Sequence, residues 1–205
     1  MTGQPRNSGT KSWETKEATM NHPINNKWEW MTKESFGSHV PILIECLCLA
    51  PAGPVLEIGM GEYSTLVLHQ FRHLRKITSI DNDINYVNTF LHLQEAEQHR
   101  IMHVDNYETF PLEDTHWAVA LVDHTVEGRM RELKRLWKHC DLAVVHDCTG
   151  AADVLEQLRG TWKHYWGSSR FATAVFTDIP NVVERIGSFD ELGEGPSFVY
   201  GYGLQ

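Results

Sequence analysis

Four cysteines in 205 residues, none of them in a C-x-x-C pair, leave little from which to build a zinc centre or a disulfide framework. Cys46, Cys48, Cys140 and Cys148 therefore read as reduced thiols, the first two as core residues of an apolar helical segment and Cys148 as a residue at a strand end. Positive charge is also scarce: 18 Lys and Arg stand against 27 Asp and Glu, for a formal net charge of -9. A broad grip on nucleic acid needs cations that replace phosphate counterions, so no bulk nucleic-acid partner is expected. No apolar run is long enough for a bilayer either. The longest, over 40–55, is interrupted by Pro41, Glu45, Pro51 and Pro54. The opening residues, with Gln4, Pro5, Arg6 and Asn7, carry no apolar h-region, so no secretory signal is expected and a cytoplasmic location follows from that expectation. No internal repeat or low-complexity tract is evident.

What is present is an ordinary globular composition, 41% hydrophobic and 22% charged, in a length that suits one domain with helices on both faces of a sheet. Residues 1–30 are mostly polar and aperiodic and read as a mobile N-terminal arm, leaving 31–205 as the folded domain. Trp28 and Trp30, beside that arm, would suit an oligomer interface. A buried helix is expected over 42–49, ended by Pro51, Gly53 and Pro54. Strands and helices then alternate. Strands fall at 55–58, 76–80, 100–104, 118–122 and 142–145, with helices at 64–71, 84–93 and 127–138. Alternation of this kind means a mostly parallel sheet of the α/β class. The last third is less regular, with a helix near 154–159 and strands near 172–176 and 198–202 that suggest a C-terminal antiparallel pair.

In open parallel sheets, ligands collect at the carboxyl ends of the strands where strand order reverses, so the strand ends hold the candidate chemistry. The first carries Glu57-Ile58-Gly59-Met60-Gly61-Glu62-Tyr63-Ser64-Thr65, a glycine turn that lets a ligand approach the backbone and leads into a helix with unpaired N–H groups. Asp81 ends the second strand at about the separation at which an acid meets a ribose hydroxyl. Taken singly, Glu57 and Asp81 could each be a solvated strand-end carboxylate. Asp123 and His124 follow the fourth strand, and His146 and Asp147 the fifth, so four side chains able to move protons share one crevice.

The stretch 55–65, the Ser79-Ile80-Asp81-Asn82-Asp83 segment and the acidic ends of the later strands together resemble class I S-adenosylmethionine-dependent methyltransferases, over roughly 38–176. The Val122-Asp123-His124 and Val145-His146-Asp147 segments are similar to those of small-molecule and sugar O-methyltransferases. The resemblance implies a Rossmann-like three-layer sandwich that binds S-adenosylmethionine and transfers its methyl group to a small-molecule acceptor. It implies that Glu57, Gly59 and Gly61 line the methionine and ribose portion, with Tyr63 beside them where the fuller pattern has a third glycine. That tyrosine would crowd a dinucleotide pyrophosphate more than a sulfonium cofactor, which favours S-adenosylmethionine over NAD. Ser64 and Thr65 would bind the methionine carboxylate, Asp81 with Asn82 the ribose, and Asp105 with Asn106 the adenine. His39 lies in a segment that often closes over cofactor or substrate in that family, although a helix-capping role fits it as well. His124, His146 and Asp147 are the candidate catalytic groups. Asp123 would touch the cofactor or, with Asp147, hold Mg²⁺ or Mn²⁺; Cys148 stands where the family often has a third oxygen ligand. Trp162, Tyr165, Trp166 and Phe171 fall where an acceptor pocket or core would lie. A nicotinamide oxidoreductase and a non-catalytic binding module on the same fold are the competing readings.

Overall fold

Short Val, Ile and Leu runs become strands here because both faces of each are covered. Every residue is buried in β1 (Val55–Ile58), β2 (Ile77–Asp81) and β4 (Trp117–Val122). The computed structural model describes residues 37, 39–147, 164–167, 173–180, 182–187 and 198–201. With β3 (His99–His103), β5 (Cys140–Val145), β6 (His164–Gly167), β7 (Ala174–Thr177) and β8 (Phe198–Gly201), the strands form one sheet in the order β3-β2-β1-β4-β5-β7-β6-β8. The first five are parallel; β7 runs antiparallel to β5, β6 to β7 and β8 to β6. This is the Rossmann-like, mostly parallel sheet with an antiparallel C-terminal part that the pattern implied. Strand order reverses between β1 and β4, which opens the crevice at their carboxyl ends.

Alternation divides the sheet residues between two cores. Leu56, Ile58, Ala120, Val122, Ala143 and Val145 pack with Met130, Leu133 and Leu136 of α4 (Val126–Leu136). Val55, Ile77, Val119, Leu121, Leu142 and Val144 pack on the other side, with Ile42, Leu43 and Leu47 of α1 (Val40–Leu49) and Leu68 of α2 (Ser64–Gln70). Val182 and Ile186 of α5 (Val182–Gly187) join that second face. α3 (Ile84–Phe90) opens with Asp83, whose side chain accepts from the Asn85 amide. Arg75 donates to the carbonyls of Leu47 and Ala50, both at 2.8 Å, and so closes the C-terminal end of α1.

Two features differ from the pattern-based expectation. Cys48 is exposed, whereas Cys46 is buried, because two residues along a helix turn a side chain about 200° away from the sheet. β6 and α5 are additional elements; β6 reads His-Tyr-Trp-Gly, with no aliphatic alternation to announce a strand. The expected arm, the helix over 154–159, and Ser38, Cys148, Trp162 and Phe171 lie outside the described residues. No helix among the described residues is long and apolar enough to cross a membrane.

Candidate functional site

At the end of β1 the chain turns through Gly59 with φ of +89°, a left-handed conformation that side chains other than hydrogen rarely tolerate. The turn is pressed against the end of β4: a Cβ at Gly59 would stand 2.7 Å from the Asp123 carbonyl carbon and 2.9 Å from the His124 nitrogen. Asp81, at the end of β2, holds the next residues in place. One carboxylate oxygen accepts from the Met60 amide at 2.7 Å and the other from the Asp83 amide at 2.7 Å. Gly61 donates its amide to Thr65 Oγ1 at 3.0 Å, and the Thr65 hydroxyl donates to Glu57, 3.1 Å from either oxygen. Glu57, Gly59, Gly61, Ser64, Thr65 and Asp81 are thus brought together around one turn.

Glu57 is not a solvated strand-end acid. It is fully buried, and burial pushes its carboxyl up to about 7 despite hydrogen bonds from Ser64, Ser79 and Thr65. Glu57 and Thr65 face the interior, where they fix the shape of the turn. Tyr63 lies against Gly37, whose Cβ position is 3.0 Å from its ring. Next to Asp81, the Asn82 amide donates to the Tyr107 hydroxyl at 3.2 Å. Asp105 is fully exposed, and Asn106 accepts from the Glu108 amide at 2.9 Å to start a short 3-10 turn over Tyr107–Thr109.

At the ends of β4 and β5, His146 Nδ1 lies 3.1 Å from both oxygens of Asp123, and the His39 ring stands 4.1 Å from that of His146. His39 begins α1 but makes no side-chain cap there; it is buried on the crevice side instead. Burial alone would raise the Asp123 carboxyl, but the His146 hydrogen bond and the charges of His146, His39 and Arg129 outweigh it, and its pKa is lowered. His124 is buried against the Tyr107 ring, and desolvation together with Arg129 and Arg131 lowers its pKa to about 4. Asp147 takes a positive φ of 47°, which aspartate tolerates better than most residues.

Arg129 ties these groups together and was invisible among the charges of α4. Its guanidinium donates to the carbonyls of His124, His146 and Asp147, each at 2.6 Å, and lies 3.3 Å from Asp123 Oδ1 and 3.6 Å from Asp147 Oδ2. One signal could have found it: Arg129 stands four residues before Leu133 and seven before Leu136, on the buried stripe of the helix. Tyr107 was missed as well, because a tyrosine in a loop carries no periodicity.

The residues fit an adenosyl cofactor. A carboxylate offers about four lone-pair positions, and Asp81 uses two on the backbone and one on the Tyr107 hydroxyl, which leaves one acceptor for a ribose hydroxyl. The expected hard-metal pair does not fit, because the Arg129 cation stands against both Asp123 and Asp147. The described residues whose ligating atoms do meet, within 4.8 Å of one another, are His39, Asp123 and His146.

No protein-family model matches the chain, and no curated protein matches it. Solved structures do resemble it. Human methyltransferase-like protein 13, in complex with SAH, aligns with a TM-score of 0.55 at 12% identity, over 80% of this chain and 95% of its own. A TehB-like SAM-dependent methyltransferase from Corynebacterium glutamicum aligns with a TM-score of 0.51 at 15% identity, over 74% and 92%. The O-methyltransferase TomG from Streptomyces achromogenes, in complex with SAM, gives 0.50 at 14% identity, over 74% and 93%. The chain therefore has the class I fold of S-adenosylmethionine-dependent methyltransferases.

Proposed function

We propose that this protein is an S-adenosylmethionine-dependent methyltransferase acting on a hydroxyl of a small-molecule or sugar-like acceptor. The observation that carries the reading is the cradle formed when the left-handed Gly59 turn and the Asp81 carboxylate meet at the strand-order reversal. The neighbours in complex with SAM and SAH support the cofactor class. When bound, S-adenosylmethionine supplies an activated methyl group.

The chain's own residues do the rest. Asp81 and the exposed Asn82 accept the ribose hydroxyls, Asp105 and Asn106 border the adenine, and Gly59 and Gly61 let the ligand approach the backbone. Ser64 and Thr65, at the start of α2, give their hydroxyls to Glu57 and so shape the methionine end of the turn instead of binding the carboxylate with their side chains. Glu57 holds the turn through Thr65 rather than touching the ligand. Asp123 accepts from His146 Nδ1 and so orients the ring of His146, the group that takes the proton of the acceptor hydroxyl as general base. His39 packs on the His146 ring and limits its rotation, and Asp147 borders the mouth of the crevice beside Arg129. His124, held neutral by its low pKa, can accept a hydrogen bond but is a weak base. Positioning of acceptor and methyl group supplies most of the acceleration.

Calorimetric titration tests the reading. Micromolar binding of S-adenosylmethionine, weakened most by Asp81→Ala, is the expected result, and flat titrations with both that cofactor and its demethylated product would overturn it. His146→Ala should abolish methyl transfer while leaving cofactor binding intact; unchanged activity would point to a chemistry that does not use this base.

A further inference from the structure

A polar seam crosses the largely aliphatic sheet face under α1 and α2. Glu57 and Ser79 are paired neighbours in β1 and β2, on the face that Val55, Ile77, Leu121 and Leu142 otherwise fill. The Ser79 hydroxyl hydrogen-bonds to Glu57 and lies 2.9 Å from His99 Nε2. His99 Nδ1 in turn is 3.0 Å from Nδ1 of His69, which stands one helical turn after Thr65 on α2. His69 Nε2 is 3.9 Å from Glu95, a half-exposed acid also held by Arg72 at 2.6 Å. Glu57, Ser79 and His99 have no exposed surface, so this chain of contacts links the interior acid of the cofactor turn to the protein surface.

We propose that Ser79, His99 and His69 form a proton relay through which Glu57 gains and loses its proton without opening the turn to water, and that cofactor binding drives a proton out along it. The seam satisfies its hydrogen bonds in two polarities. With Glu57 ionised, Ser79 donates to Glu57, His99 Nε2–H to Ser79, and His69 Nδ1–H to His99 Nδ1. When one proton enters at His69 Nε2, each bridging proton moves one group inward. Glu57 then donates to Ser79, Ser79 to His99 Nε2, and His99 Nδ1–H to His69 Nδ1. Both histidines end neutral in the opposite tautomer, and Glu57 carries the added proton. The groups facing the two ends are consistent with this. Asp123, Ser64 and Thr65 surround Glu57, and Arg72, His73, His92 and Glu95 surround His69. Burial keeps Glu57 near neutrality and His99 and His69 low, so no imidazolium accumulates inside the seam. The part that concerns the ligand rests on the methyltransferase reading: a cofactor bearing sulfonium and ammonium charges on the outer side of the turn favours an ionised Glu57 behind it.

Ring-nitrogen NMR of ¹⁵N-histidine-labelled full-length protein tests the relay without ligand. His99 is expected to be protonated on Nε2 above the Glu57 titration and on Nδ1 below it, with the switch lost in Glu57→Gln and in Ser79→Ala. A His99 that keeps one tautomer across that range overturns the proposal, and the wild-type spectrum alone decides if the variants do not fold. Calorimetry with S-adenosylmethionine in two buffers of different ionisation heat tests the coupling. Below the Glu57 titration the wild type should release about one proton, with affinity falling about tenfold per pH unit, and Glu57→Gln should release none. Binding without proton release overturns the coupling. Absence of binding overturns the methyltransferase reading and leaves the relay to the tautomer measurement.

Discussion

Gly128 lacks a side chain where His124 needs the room: a Cβ built on Gly128 would stand 2.9 Å from His124 Nδ1 and closer still to Cε1. The first turn of α4 and the end of β4 are therefore fitted to each other through one ring. Gly128→Ala should force that ring off the face of Tyr107, and the crowding should cost about 1–3 kcal/mol. A fall in the urea midpoint with an unchanged m-value checks this. Since alanine is otherwise the better helix former, an unchanged or higher midpoint would show that His124 has space to move.

Arg129 is the tie between the ends of β4 and β5, and its geometry demands a guanidinium. Three carbonyls and a carboxylate surround a planar fork of five donors, which a lysine ammonium cannot reproduce. Arg129→Met should lower stability by about 3 kcal/mol, because it strands the partly buried Asp123 and three carbonyls. Arg129→Lys should recover less than half of the loss. Denaturation midpoints of the two variants measure both, and full recovery by lysine would mean that only the charge matters.

The contrast between Gly59 and Arg129 shows which kinds of feature a sequence makes legible. The Gly59 turn and the Asp81 acid announce themselves by residue type at fixed offsets after aliphatic strands, and the parallel part of the sheet follows from alternation. Strand bounds differ by a residue or two, as with β2 over Ile77–Asp81 against an expected 76–80. The partners of Arg129, the place of Tyr107 and the inward orientation of Glu57 depend on which elements pack against which, and local pattern does not encode that. β6 was hidden for a related reason: its place in the sheet comes from antiparallel pairing with β7 on one edge and β8 on the other, not from an alternation of its own. His39 and His146 could each be suspected alone, yet their ring contact joins residues 107 positions apart, which only the fold supplies.

The cation between Asp123 and Asp147 makes a prediction about metals. Millimolar Mg²⁺ should leave both the melting temperature and the affinity for S-adenosylmethionine unchanged, since the Arg129 guanidinium already stands against both carboxylates where the ion would sit. In Arg129→Met the same addition should raise the melting temperature, as the freed carboxylates acquire a counter-ion. A wild-type response to Mg²⁺ as large as the variant's would show that the arginine yields its place.

Stability against pH should be set by two buried histidines working against one buried acid. His99 and His124 titrate in the folded protein at about 4, against 6.5 when unfolded, mainly through desolvation. As pH falls from 6.5 toward 4 the unfolded chain takes up two protons that the folded one refuses, which favours unfolding. Glu57 acts in the opposite sense. Its folded pKa of about 7 lies above the unfolded 4.5, so the folded protein holds a proton in that window that the unfolded one has lost. Its contribution is complete below 4.5 and disappears as pH rises through 7. Between 4.5 and 6.5 these three groups together bind one proton more in the unfolded chain, so they make stability rise with pH by about 1.4 kcal/mol per unit, and His69, also lowered, adds in the same sense. Above 6.5 only Glu57 still titrates, and stability should fall slightly before levelling off, giving a maximum near pH 6.5. Glu57→Gln should double the acid-side slope and remove the decline on the alkaline side. Urea midpoints taken at half-unit intervals resolve the two profiles. A wild-type curve that climbs steadily to pH 8 would mean that Glu57 is ionised in the folded protein throughout, and that its burial is relieved by water or by charges beyond Ser64, Thr65 and Ser79.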